Sequence, residues 1–465
     1  MVPRPGRATT IGVLGLGRVG VATGVAFAAH GFRVTGFDID AGIRAALERG
    51  VSTFREPGLD ELLRAQVRSR RFLVAESVQS VAESSEGIFV CVPTPPLRSG
   101  RIDLRFLLRS VRELATALQS ARGFRTVVIK STVVPGTTET IVVPMLRTLA
   151  DRSRSMLGVA SNPEFLSEGS MVRDALHPSR VVVGTTDSRS LRWLRRVYRP
   201  FRSPIVSLTP SGAELVKYSA NTLLALKVSF ANEVSRIADR LGVNVDQVMS
   251  AVGQDPRIGG AFLRAGPGFG GSCFEKDVRA FASRAEELGV RLRSARVALE
   301  INRDQLAYAL GLVQSALRDL RGKRIALLGL SFKAGTDDVR ESRALPIARA
   351  LITRGATVIA HDPMAIDTFR TAWEREYRGE GTRLKFADSL SEALTRADAA
   401  IIQADWPLYM RWTPGLSRLM HRPIVIDLRR ALSPRAVQRS GLEWIGLGAG
   451  KRLPRPGAVT RVPKP

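Results

Sequence analysis

Ile11-Gly12-Val13-Leu14-Gly15-Leu16-Gly17-Arg18-Val19-Gly20 is the stretch on which the fold turns. Ile11–Gly15 reads as a short buried strand, Arg18–His30 as a helix and Arg33–Asp38 as the next strand, so three glycines fall in a strand-to-helix turn. Gly15 permits the tight turn, Gly17 lets the backbone approach a pyrophosphate, and Gly20 lets helix meet strand. The N–H groups opening the helix lack intrahelical acceptors and suit a phosphate. Arg18 and Val19 stand at this helix start and are expected at the cofactor. Asp38 ends the second strand 18 residues after Gly20. Its carboxylate would accept from a ribose 2′-hydroxyl and repel a 2′-phosphate, which favours NAD over NADP. A Gly-rich turn without a ligand is the plainer alternative.

Outward from this motif, strands and helices alternate, as in a doubly wound sheet. Gly87–Val92 and Thr126–Ser131 are further apolar strands, and Val181–Thr185 is a late one. Near Ser211 the texture changes: Gly212–Leu241 is a long helical pattern, Gly259–Gly271 a Gly-rich loop, and Lys276–Leu288 and Ala295–Leu320 are helices. A second α/β unit begins at Lys323, with strands at Arg324–Gly329, Thr357–His361, Ala399–Gln403 and Ile424–Asp427 and a helix at Ala344–Arg354. The expected class is α/β, two Rossmann-like doubly wound units joined by a central helical domain. The expected boundaries are 1–210, 211–320 and 321–449, followed by a basic, Pro-rich, disordered tail at 450–465.

The chain has 465 residues, 44% of them apolar and 24% charged, which suits several packed domains and excludes a wholly disordered protein. Lys and Arg number 70 against 43 Asp and Glu, a formal charge of +27. Only nine of the basic residues are Lys, and they are scattered along the chain. A genome-wide drift to Arg codons and a polyanion-binding surface both fit; either leaves a field that attracts phosphorylated substrates. With no aromatic-interleaved basic patch, nucleic acid is not the expected partner. Two cysteines cannot form a secreted disulfide framework. The apolar run Ile11–Phe32 carries six glycines, so the Gly motif explains it better than a membrane span does. A soluble, cytoplasmic protein is expected, and no metal is called for.

In a chain so poor in Lys, Lys130, Lys217, Lys276 and Lys333 each stand beside unusual residues. A compact ammonium stabilises developing negative charge in ways a broad guanidinium does less well. Lys217 and Asn221 share one helix face and together can hold an oxyanion. Cys273 follows Gly266-Pro267-Gly268-Phe269-Gly270-Gly271-Ser272, glycines that would wrap a ligand and expose the thiol. Lys276, Asp277 and a helix start just after it favour a thiolate. Cys91, inside an apolar strand, reads as an inert core residue. Glu164 and Glu168, four residues apart, suit proton transfer with water, although two acids at a helix start would look the same.

These motifs stand in the order GLGRVG, FDID, CVPTP, KSTVVPGTT, NPEFLSEG, PSRVVVG, ELVKYSANTLLALKVSFANE, RIGGAFLRAGPGFGGSCFEKD, LGLSFKAGTDDVRES and DAAIIQADWPLY. From about Ile11 to about Leu432 the chain resembles the UDP-glucose/GDP-mannose dehydrogenase family, and the Arg257 and Phe262-Leu263 context looks like its UDP-glucose branch. The resemblance implies a four-electron oxidation of a nucleotide sugar, UDP-glucose to UDP-glucuronate, with two NAD. Cys273 would attack the aldehyde, and the thiohemiacetal would become a thioester that water cleaves. It assigns Lys217 and Asn221 to the oxyanions, Asp277 to water and proton transfer, Thr132 to the nicotinamide side, and Glu164 to general base catalysis. Thr94, Glu168, Lys276 and Arg340 are carried over to the cofactor. Glu164, Phe165, Leu166, Glu168, Lys217, Asn221, Arg257, Phe262, Leu263, Gly268, Phe269, Gly270, Phe332 and Lys333 are carried over to the substrate. It also implies a C-terminal UDP-binding domain and a homodimer formed through the central helices.

Three positions depart from the family pattern. Arg18 stands where an aromatic is common, Glu275 where Pro is frequent in SCFPKD, and Arg343 where Pro is frequent in RESPA. Glu275, two residues from the thiol, is expected to raise its pKa. The readings kept as alternatives are the same chemistry on GDP-mannose, a UDP-N-acetylhexosamine or UDP-galactose, and a two-electron hydroxyacid dehydrogenase, which would need neither the GGSC thiol nor residues 323–447. A basic nucleic-acid-binding protein on a retired enzyme scaffold is the reading from another class.

Overall fold

The computed structural model describes residues 9–121, 123–149, 157–379 and 381–450, so the expected tail lies, except for Gly450, outside the described residues. The chain divides into two compact units, Met1–Ala220 with Arg279–Leu292, and Asn221–Val278 with Arg293–Pro465. The helices Pro210–Leu241 and Phe274–Glu287 each contribute residues to both.

The first unit is built on β1 (Thr10–Leu14), β2 (Arg33–Phe37), β3 (Phe72–Val74), β4 (Gly87–Val90), β5 (Arg125–Ile129), β6 (Leu157–Ser161), β7 (Val181–Gly184) and β8 (Ile205–Leu208). They form one sheet in the order β3-β2-β1-β4-β5-β6-β7-β8. Strands β1 to β6 pair in parallel, and β7 meets β6 antiparallel through Ser161 and Gly184. The order reverses between β1 and β4, the switch point outside whose strand ends ligands bind in such sheets.

Alternation along β4 feeds two cores. Phe89 packs with Phe27, Trp193 and Tyr198 on one face, while Ile88 and Val90 pack with Leu107, Leu114 and Ile129 on the other. Burial on both faces is why β4 and β5 read as continuous apolar runs. The helix Arg18–Ala29 follows the Gly motif directly. A Cβ on Gly20 would stand 1.8 Å from the Gly15 carbonyl oxygen, so helix and turn approach as closely as a missing side chain allows.

The second unit is built on β9 (Arg324–Leu328), β10 (Thr357–His361), β11 (Leu384–Phe386), β12 (Ala399–Ile402), β13 (Ile424–Asp427) and β14 (Glu443–Gly446). This sheet is parallel throughout in the order β11-β10-β9-β12-β13-β14, the same winding as β1 to β6. Five strands are not among those expected from the sequence: β3 and β11, whose three residues are too few to show a period, and β6, β8 and β14, of four or five residues. Buried Asp362 accepts from the N–H groups of Leu330 and Ser331 and fixes the turn after β9 that leads to Phe332 and Lys333.

Gly20→Ala is expected to destabilise the protein by about 2 kcal/mol or more, read as a lowered Tm, and to weaken NAD binding in a fluorescence titration. Unchanged values for both would contradict the close approach of helix and turn.

Candidate active site

In the first unit, Gly17 caps the helix Arg18–Ala29 with no side chain bonding its first N–H groups. A Cβ on Gly17 would meet nothing within 4 Å, so open space lies before those donors. Asp38 Oδ2 accepts from Leu16 N at 2.6 Å and its Oδ1 from Asp40 N at 2.9 Å, which holds the carboxylate at the end of β2. Each oxygen keeps a further lone pair. An unfilled, uncapped helix start and an anchored carboxylate fit a dinucleotide's pyrophosphate and ribose. Val19 is partly buried in the core behind the turn. Arg18 stacks on Phe54 at 4.9 Å and lies 3.9 Å from Glu168, so its guanidinium is engaged by this unit's own residues. Thr94 Oγ1 donates to the Thr132 carbonyl at 2.7 Å and joins the loops after β4 and β5.

The loop after β6 carries Glu164. Lys217 Nζ donates to Glu164 Oε1 at 2.8 Å, with both side chains buried. Leu166 N donates to Glu164 Oε2 at 2.6 Å. Burial pushes the carboxyl up, but Lys217, the Leu166 N–H and nearby Lys130 outweigh it and hold Glu164 ionised below its ordinary value. Phe165 lies under the Arg180 guanidinium at 4.2 Å and beside Lys217 at 5.6 Å. Lys130, at the end of β5, is buried and donates to Asn162 Oδ1 at 3.0 Å; burial pushes it down. Cys91 is buried nearby, with its thiol pushed up to about 12, as suits an inert residue. A cavity of about 230 Å³ runs past Lys130, Asn162, Glu164 and Tyr198.

Two buried carboxylates that the sequence reading missed brace this site. Glu56 accepts from Gly169 N and Met171 N and fixes the turn after Glu168. Glu214, three residues before Lys217 on the long helix, accepts from Gly136 N at 2.7 Å and Thr138 N at 3.0 Å. It thereby holds the loop that carries Thr132. Each partner lies more than seventy residues away in sequence, so no local pattern announces either role.

In the second unit, Cys273 is in no disulfide, is partly exposed and immediately precedes the helix Phe274–Glu287. Asp277, one turn in, donates its N–H to the Cys273 carbonyl. The Asp277 carboxylate accepts from Asn221 Nδ2 at 2.7 Å and Lys276 Nζ at 2.6 Å. Phe274 lies between Phe262 and Phe269, with ring centroids 5.9 and 5.8 Å away. Leu263 is buried. Gly271 takes φ +85°, and its N–H donates to the Arg340 carbonyl at 3.0 Å. A Cβ on Gly270 would stand 2.2 Å from the Glu341 carbonyl oxygen, so the Gly268–Gly271 backbone lies directly on the segment that follows Phe332 and Lys333. Lys333 Nζ sits 5.6 Å from the Phe332 ring. Arg340 and Arg257 each grip an aspartate two residues earlier, Asp338 and Asp255. Arg257 is exposed and its guanidinium is paired with the partly buried Asp255.

Residues 9–202 match the NAD binding domain of the UDP-glucose/GDP-mannose dehydrogenase family, 211–304 its central domain and 326–434 its UDP binding domain. The chain belongs to that family. It is an oxidoreductase whose cofactor is NAD. A UDP-glucose 6-dehydrogenase of Rhizobium meliloti is 36% identical over 449 residues, 94% of this chain and 99% of its own. The solved structure of a UDP-glucose dehydrogenase from Pyrobaculum islandicum matches at a TM-score of 0.87 and 39% identity, over 97% of this chain and 100% of its own. That of a UDP-D-ManNAc dehydrogenase from Pyrococcus horikoshii matches at 0.81 and 29%, over 95% and 100%.

Burial pushes Glu214 up from 4.5 to about 7, opposed by its two backbone donors and assisted by Glu139. A carboxyl raised in the folded state binds more protons there than when unfolded, so its contribution is full below pH 4.5 and is lost as pH rises through about 7. Glu214→Gln removes this titration. The variant's stability relative to the parent is therefore expected to improve by on the order of 2–3 kcal/mol between pH 5 and pH 8, measured by denaturant unfolding. A pH-independent difference would contradict it. Asp38→Ala is expected to weaken NAD at least tenfold, by roughly 1.4 kcal/mol, and to narrow the preference over NADP in equilibrium titrations; unchanged discrimination would remove Asp38 from the ribose.

Proposed function

We propose that the chain oxidises the C6 alcohol of UDP-glucose to the carboxylate of UDP-glucuronate in two two-electron steps, with Cys273 as nucleophile. The observation that carries the reading is a partly exposed thiol at a helix start, with Asp277, Lys276 and Asn221 bonded together one turn away. The likeness to UDP-glucose dehydrogenases over nearly the whole chain supports the substrate.

NAD, when bound, takes up a hydride in each oxidation. The chain's own residues do the rest. Gly15, Gly17 and Gly20 admit the pyrophosphate, and Asp38 accepts from the ribose. Cys273 Sγ adds to the aldehyde carbon, and the new carbon–sulfur bond persists through a thioester until water cleaves it, releasing the acid and regenerating the thiol. The Lys217 ammonium and the Asn221 amide, one turn apart on the long helix, donate to the oxygen that gains charge as the carbon becomes tetrahedral. Asp277 receives a proton from the attacking water and hands it on. Glu164 is ionised, as a general base must be, while its lowered pKa lessens its pull on a proton. The anchored Thr132 loop faces the nicotinamide side, and the Gly268–Gly270 backbone, Phe332 and Lys333 hold the nucleotide.

A homodimer is part of the same proposal. Leu223, Phe230 and Ile237 recur every seven residues along the long helix, each more than half exposed, and form an apolar stripe suited to a second copy. Among the described residues no helix is long and apolar enough to cross a membrane. Two cysteines outside any disulfide accord with a reducing, cytoplasmic setting.

The test is the yield of NADH per UDP-glucose consumed by purified protein. Two are expected; one would mean that the thiol step is idle. Cys273→Ser is expected to bind UDP-glucose normally and to lose net acid formation. Acid production at the parental rate by that variant would overturn the thioester route. Turnover of a UDP-N-acetyl sugar in place of UDP-glucose would keep the chemistry and replace the substrate.

A further inference from the structure

Two departures from the family pattern, Glu275 and Arg343, face each other. Arg343 Nη2 lies 3.8 Å from Glu275 Oε2, and both side chains are largely buried. Glu275 is the second residue of the helix Phe274–Glu287, two residues after Cys273. Arg343 is 8% exposed, and its Nε and Nη2 donate to the Phe269 carbonyl at 3.1 and 2.5 Å. Asn302 completes the grip: its Oδ1 accepts from Phe269 N at 2.7 Å and its Nδ2 donates to Phe269 O at 3.1 Å. One guanidinium therefore touches both flanks of the nucleophile's segment, the Phe269 loop before Cys273 and the first helical turn after it.

We propose that Glu275 and Arg343 act as a charge couple that fixes the Cys273 turn and cancels the negative charge Glu275 would otherwise place beside the thiol. Arg343 is a positioning residue in this scheme. Neither charge suits its site alone. An isolated carboxylate two residues away disfavours the thiolate. A buried guanidinium without an acid is costly, and removing one partner of a buried pair strands the other. Burial pushes Arg343 down, while Glu275 and Glu341 draw it back. The other charged groups on the helix side are Lys276 and Asp277, which neutralise each other at 2.6 Å. On the segment packed against the loop they are Lys333, Arg340 with its Asp338, and Glu341. Partly buried Arg429, whose guanidinium donates to the Phe332 carbonyl, adds a second cation on that side.

The inference rests on the reading of Cys273 as nucleophile for its consequence in turnover, but its test does not. Iodoacetamide alkylation reports the Cys273 thiolate directly, because Cys91 is buried and its thiol is pushed up to about 12. The pH midpoint of the alkylation rate is expected to rise by about one unit in Arg343→Met, with the rate at pH 7 falling up to about tenfold. It is expected to fall in Glu275→Gln, whose amide keeps the side chain's size, and to return near the parental value in the double variant. An unchanged midpoint in Glu275→Gln, or a double variant no closer to the parent than Arg343→Met, would overturn the couple. Parental midpoints in every variant with a lowered Tm alone would assign Arg343 a purely structural role and overturn it equally. If the midpoints move as expected while Cys273→Ser still forms acid, the couple stands and the nucleophile reading falls.

Discussion

The buried Lys217–Glu164 pair is the constraint around which the first unit's site is arranged. Two charges at 2.8 Å, both nearly free of solvent, are tolerated only as a pair; removing one would strand the other at a cost of about 3–5 kcal/mol. The pair ties the loop after β6 to the long helix. Once that helix is fixed, Glu214 three residues earlier reaches Gly136 and Thr138 and sets the loop after β5. Lys130, bonded to Asn162, joins the end of β5 to the loop after β6. The functional side chains thus hang on backbone positions secured by buried carboxylates and ammonium groups, not on loop stiffness.

The second unit solves a similar problem with different partners. Asp277 is buried and ionisable beside a thiol, and it is satisfied by one amide and one ammonium, Asn221 and Lys276. Asp362 and Asp427 are satisfied by backbone N–H groups at the turns after β10 and β13. Arg343 shows what happens when a charge is added to such a site: it is accepted because the chain also supplies Glu275 and the Phe269 carbonyl. Glu275, read alone, is a liability to the thiolate; read with its partner, it belongs to the positioning of the loop.

The arginine excess takes on local meaning at several positions. Arg105, Arg257 and Arg340 each chelate an aspartate two residues earlier with two nitrogens. This pairing uses only local backbone geometry, and it engages two residues, Arg257 and Arg340, that the resemblance assigns to ligands. Arg18 is likewise occupied by Phe54 and Glu168. The remaining excess has no structural explanation.

What the sequence determined by itself was everything that local geometry controls. The G-x-G-x-x-G turn, the strand that ends at Asp38, the helix carrying Lys217 and Asn221 one turn apart, and the helix start after Cys273 follow from chain stereochemistry and periodicity over a few residues. β3 and β11, of three residues each, are too short to show a period, and β6, β8 and β14 were not read from the sequence either. Only the tertiary structure decided which partners the buried charges meet. Glu56 with Gly169, Glu214 with Gly136, and Arg343 with Phe269 are separated by 113, 78 and 74 residues. Desolvation makes such pairings stringent, since a buried charge must find a partner, but it leaves no mark in sequence spacing. The partner is chosen by the packing of sheet and helix, and with it the protonation of each group and the rigidity of each loop.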